Sequence, residues 1–147
     1  MTGYKAYQGN QIDGAGPLGL VLLTYEALYK ALGRARLAIE SGDIAFEAEQ
    51  TGRALEAIVE LSSSLNIEEG GDIARNLADL YIYMTTRLAD QMCQNSTDGI
   101  DEVMHLVATL REGWKALEKQ QMNKNHSRVS QPRSHSQVQT ASLAYAA

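Results

Sequence analysis

Residues 18–41, LGLVLLTYEALYKALGRARLAIES, decide the architecture of this chain. Leu18, Leu22, Tyr25, Tyr29, Leu32 and Ile39 recur at alternating steps of four and three, with Arg36 in the one gap. That spacing is an apolar stripe on one side of an α-helix of about six turns. The sequence has only two prolines, Pro17 and Pro132, so everything between them is free of the residue that breaks helices. After Ser41, Gly42 can take the left-handed conformation that ends a helix, and Asp43 can cap the next one by accepting from its free amides.

The same grammar continues downstream. A second stripe carries Ile44, Ala48, Thr51, Leu55, Ile58, Ser62 and Leu65, and Gly70-Gly71-Asp72 repeats the glycine-then-cap signal. A third aligns Ile73, Leu77, Leu80, Met84 and Leu88 and runs out near Gln94-Asn95-Ser96. From the cap at Asp98 a fourth lines up Val103, Val107, Leu110, Trp114 and Leu117, fading after Gln120. Four amphipathic helices joined by short turns bury their stripes most simply as an all-α, antiparallel up-down-up-down four-helix bundle over residues 18–121. Residues 1–17, with four glycines and a proline, are expected to form an arm that is not helical throughout. Residues 122–147, rich in Ser, Gln, His and Asn, are expected to be a disordered basic polar tail.

Composition narrows the function. A chain of 147 residues fits one core. The lone Cys93 has no internal disulfide partner, and no Cys and His cluster has zinc spacing. No apolar run approaches the roughly 20 residues of a membrane span, and the start MTGYKAYQGN lacks the plan of a signal peptide, so a cytoplasmic protein is expected. Residues 1–121 hold all 18 acidic side chains and 10 of the 13 Lys and Arg, a net −8, while the remainder carries +3. An acidic body argues against nucleic acid as a partner.

A bundle helix needs an apolar arc of little more than about 100°. On the first helix Glu26, Lys30 and Arg34 crowd a narrow sector, whereas Leu20, Thr24, Ala27, Ala31, Ala35 and Ala38 widen the uncharged arc. That surplus points to a surface where another helix lies, although alanine is also simply the best helix former. On the third helix Asn76, Tyr83 and Arg87 share one flank of the core stripe, and Ile82 points nearly opposite to it. Tyrosine among amide and guanidinium neighbours is interface chemistry, set against the plain role of covering a core edge.

No catalytic constellation survives inspection. Glu102-x-x-His105 has the spacing of di-iron bundle ligands. With Val103 at zero, however, His105 falls at roughly 200° and Glu102 at roughly 260°, both away from the core. His126 and His135, the other histidines, lie in the tail. We expect no enzyme, no metal and no cofactor.

The residues Ser64-Leu65, GGDIARNLADLYIYM at 70–84 and Arg87-Leu88, with Tyr4-x-x-Tyr7-x-x-Asn10, PLGLVLLTYEAL at 17–28 and Trp114, resemble the FliS family of flagellin export chaperones over roughly residues 4–120. The resemblance implies a chaperone that holds the disordered C-terminal segment of flagellin, prevents premature polymerisation and serves the flagellar type III export apparatus. The export gate and other flagellar proteins would be further partners. It implies a client wrapped around the bundle in apolar grooves, with the tyrosine-bearing arm able to occupy part of that surface in its absence. Motif and helix geometry together give a groove of Leu20, Ala27, Ala31, Asn76, Leu80, Tyr83 and Arg87, and an arm marked by Tyr4, Tyr7 and Asn10. The alternative is a structural or regulatory bundle that self-associates or binds another protein, using the same alanine face.

Overall fold

A computed structural model describes the backbone of residues 2–92, 94–126 and 143–145, with the side chains from Pro17 onward. The described residues form four helices: α1 (Thr2–Ser41), α2 (Ile44–Ser63), α3 (Ile67–Gln91) and α4 (Asp98–His126). Gly42 takes a φ of 73°, and Asp43 accepts a hydrogen bond from the Phe46 amide at 3.1 Å, so the first reversal forms as its residues dictate. Arg36 Nε donates to Asp101 Oδ1 at 2.6 Å, and the Arg111 guanidinium lies 4.7 Å over the Tyr29 ring. Later residues of α4 thus meet earlier residues of α1, and the two helices are antiparallel. Pairing of Arg87 with Glu102 and of Gln91 with Gly99 makes α3 and α4 antiparallel in the same way.

Three expectations about boundaries are corrected. Helix α1 begins at Thr2 and carries Pro17 inside it, so residues 2–17 are helical throughout, where an arm only partly helical is expected. A proline's φ suits a helix, and its ring costs the helix one hydrogen bond and some distortion; the defect is local. The first cap of α3 is Asn66, whose side chain accepts from the Glu69 amide at 3.1 Å, while Gly71 takes the positive φ, 56°, expected of it and separates that first turn from the rest of the helix. The tail is also shorter than expected, because Met122–His126 continue α4, and Ala144 and Tyr145 are buried against the core. Residues 127–142 lie outside the described residues.

The stripes of α3 and α4 are buried much as their spacing demands: Leu77, Met84, Leu88, Val103, Val107, Trp114 and Leu117 belong to the core, with Ile73, Leu80 and Leu110 packed at its edge. Helix α2 is rotated from its expected stripe. It buries Gln50, Thr51, Ala54, Ala57, Ile58 and Leu61, leaving Ile44 78 % exposed and Ala48 and Ser62 on the surface. Small residues at 54 and 57 allow close approach of a neighbouring helix, and that outweighs the pull of the larger but terminal Ile44.

Between α3 and α4 the chain is tied by a buried polar side chain. Gln91 is 2 % exposed; its Oε1 accepts from the Gly99 amide at 2.7 Å. A Cβ at Gly99 would come within 2.8 Å of that same oxygen, so the contact requires glycine there. Gln91→Leu leaves the buried Gly99 N–H without a partner, and we expect it to lower unfolding free energy by about 1–3 kcal/mol. A urea midpoint unchanged from wild type would mean that the amide finds water.

Candidate protein-interaction site

Helix α3 sets out Asn76, Leu80, Tyr83 and Arg87 at successive turns of one flank. Asn76 is exposed, Leu80 is half-buried against the core, Tyr83 is 45 % exposed and Arg87 is partly covered. Across from them on α4 stands Glu102. The Tyr83 hydroxyl donates to its Oε1, and Arg87 Nε donates to its Oε2 at 2.8 Å. One carboxylate therefore holds both Tyr83 and Arg87, with the tyrosine ring still facing solvent. Ile82, on the outer face of α3, is 64 % exposed.

The hydrogen bond from Tyr83, and then that from Arg87, holds the Glu102 carboxyl below the usual glutamate range, while both partners are raised. A depressed folded-state pKa means that the unfolded chain binds the proton more readily, so the clamp contributes above the ordinary glutamate value and is lost as pH falls through the folded one. The group is open to solvent, so its share of stability is small. Glu102→Gln is expected to remove that small contribution above about pH 4.5 and to leave stability at pH 3 unchanged, so the acid limb flattens by the amount lost at neutral pH; thermal unfolding between pH 3 and 7 reads both.

Of the three α1 residues expected to line the groove, Ala31 is corrected. Ala31 is 4 % exposed and, with Ala35 and Ala38, is buried inside the bundle. Leu20 and Ala27 are only half-buried, and they remain on the expected side of α1. The surplus uncharged arc of α1 exists because that helix packs on both α2 and α4, so its small side chains meet the chain's own neighbours. A self-association surface built on these alanines loses its face for the same reason. Of the expected arm residues, Tyr4, Tyr7 and Asn10 stand on α1, and their side chains lie outside the described residues.

What sequence reasoning missed is a run of tyrosines through the bundle. The hydroxyls of Tyr25 on α1 and Tyr81 on α3 are 2.5 Å apart, and that of Tyr145 is 2.5 Å from Tyr81. Burial pushes all three hydroxyls far above the ordinary phenol range, so all stay protonated. The Tyr145 ring meets Trp114 edge to face at 5.2 Å and 74°. Helical spacing placed Leu80 in the core, but Tyr81 beside it is the fully buried residue, because its hydroxyl finds partners there. Along α4, Glu102 is only half of a rejected Glu-x-x-His pair; its link to α3 is a tertiary contact that spacing along α4 cannot reveal.

Comparison with known proteins bears on this arrangement. A family described as flagellar protein FliS matches residues 1–121. The chain is 35% identical over 121 residues to the flagellar secretion chaperone FliS of Salmonella typhimurium, covering 79% of this chain and 90% of that one. It is 34% identical over 121 residues to the flagellar secretion chaperone FliSB of Pseudomonas aeruginosa, covering 80% and 96%. The FliS of Bacillus subtilis is 32% identical over 112 residues, covering 76% and 83%. The match spans nearly all of the four-helix body: the chain belongs to the FliS family of flagellar secretion chaperones, a family of chaperones and not of enzymes.

Proposed function

We propose that this chain is a cytoplasmic export chaperone that binds the C-terminal segment of flagellin along the α3–α4 flank, keeps it from polymerising and hands it to the flagellar type III export apparatus. The observation that carries the location is the line Asn76, Leu80, Tyr83 and Arg87, in which an aromatic ring is held in place by Glu102 and left open to solvent. A preorganised aromatic loses little entropy when a partner covers it, which suits a site for a client that must order itself on binding. The family relatives, named as flagellar secretion chaperones, support the choice of client. Among the described residues no helix is long and apolar enough to cross a membrane, in keeping with a client met before export.

Isothermal calorimetry of the full chain against the C-terminal segment of flagellin from the same organism tests this. One segment per chain, with a negative heat-capacity change from apolar burial, is the expected result. Absence of heat at micromolar concentrations of folded protein removes flagellin as the client.

A further inference from the structure

The most unusual contact in the molecule is made by three residues that belong to none of the four helices. The Asn66 amide donates to the Ala144 carbonyl at 2.6 Å. Gly70 makes room for that backbone: a Cβ there would come within 2.7 Å of the Ala144 Cα, and equally within 2.7 Å of the Ala74 Cβ on α3 itself. Tyr145, 5 % exposed, fills the space between Trp114 and Tyr81 and ends on the tyrosine hydroxyls. The contact has the parts of a peptide-binding notch: one main-chain hydrogen bond, a glycine floor that accepts a small residue, and an aromatic slot with a polar end.

We propose that this notch, between the start of α3 and Trp114 of α4, is a client subsite, and that the chain's own Leu143–Ala144–Tyr145 occupies it until the client displaces it. The inference rests on the reading of the chain as a flagellin chaperone. The client motif that fits is a small residue followed by an aromatic or other bulky apolar one, entering with its backbone against Asn66.

Several observations favour exchange over a fixed structural role. The family match covers residues 1–121 and stops short of the segment, so the bundle is shared without it. Trp114 is twelve residues back from the end of α4, about 18 Å at the helical rise. The sixteen residues 127–142 span at most about 55 Å when extended, so the tether reaches easily. Such tethering supplies the segment at an effective concentration on the order of millimolar, enough for three residues of weak intrinsic affinity to compete.

The test uses the full chain carrying Ala144→Lys and Tyr145→Ser, which removes both anchors and leaves every residue of the four helices in place, with circular dichroism to verify that the helices persist. Trp114 is the single tryptophan of the sequence, so acrylamide quenching reads the notch directly. In the double variant quenching is expected to rise severalfold, a tryptophan-free flagellin C-terminal segment is expected to bind about five- to tenfold more tightly than to wild type, and binding is expected to restore protection of Trp114. Adding Gly70→Ala to the double variant should then weaken the client again, because the floor is lost to both occupants; circular dichroism and the thermal midpoint verify that this variant is folded. Unchanged quenching in the double variant overturns the inference. Client binding that leaves Trp114 quenched, or affinity equal to wild type, overturns it too while the chaperone reading stands. No binding of the segment to either chain removes the chaperone reading and this inference with it.

Discussion

Trp114→Ala is expected to lower the unfolding free energy by about 3–5 kcal/mol, the range for deleting a large buried aromatic side chain. The ring is 5 % exposed, belongs to the core with Val107 and Leu117 on the same helix, and meets Tyr145 edge to face. Its removal leaves a cavity that the bundle fills only partly, because Tyr25 and Tyr81 are held by their own hydroxyl contact and have little freedom to move into it. Against a total stability of roughly 5–15 kcal/mol, this is the largest single loss we expect from a substitution in the bundle. Chemical denaturation followed by circular dichroism measures it. A loss under about 1 kcal/mol would mean that the ring covers the core edge and does not fill it.

Tyr83→Ala is expected to do the reverse: to weaken the flagellin segment by about 2 kcal/mol, roughly thirtyfold in affinity, while leaving stability within about 0.5 kcal/mol of wild type. The separation follows from where the ring stands. Tyr83 is 45 % exposed and its hydroxyl serves only the Glu102 clamp, so the fold loses little when it goes. A client covering it would lose a rigid aromatic contact, and Arg87 would remain paired with Glu102 through its own bond at 2.8 Å. Calorimetry and denaturation on the same preparation decide the matter. If stability and affinity fall together, the flank is part of the fold and not the binding surface. Tyr83→Phe is expected to keep most of the affinity, which separates the contribution of the ring from that of the clamp.

Period along the chain determined the four helices and the faces of α3 and α4, since Leu77, Met84, Leu88, Val103, Val107 and Trp114 obey a spacing that any isolated helix would have. Gly42 and Asp43 determined the first turn for an equally local reason: a left-handed residue followed by a side-chain acceptor needs no distant partner. The flank of Asn76, Leu80, Tyr83 and Arg87 was legible because it too is a matter of angle around one helix.

Contacts between helices were not legible. The alanine face of α1 looked spare until packing against neighbouring helices used it, and α2 turned so that Ala54 and Ala57 faced inward in place of Ile44. Tyr81 displaced Leu80 from the centre of the core because two other hydroxyls, 56 and 64 positions away in the chain, waited there. The tail composition, averaged over many polar residues, hid one apolar triplet with a glycine floor cut to fit it. Periodicity fixes which side of a helix is apolar; only the sum of shapes and hydrogen bonds around the closed bundle decides which residues finally cover it.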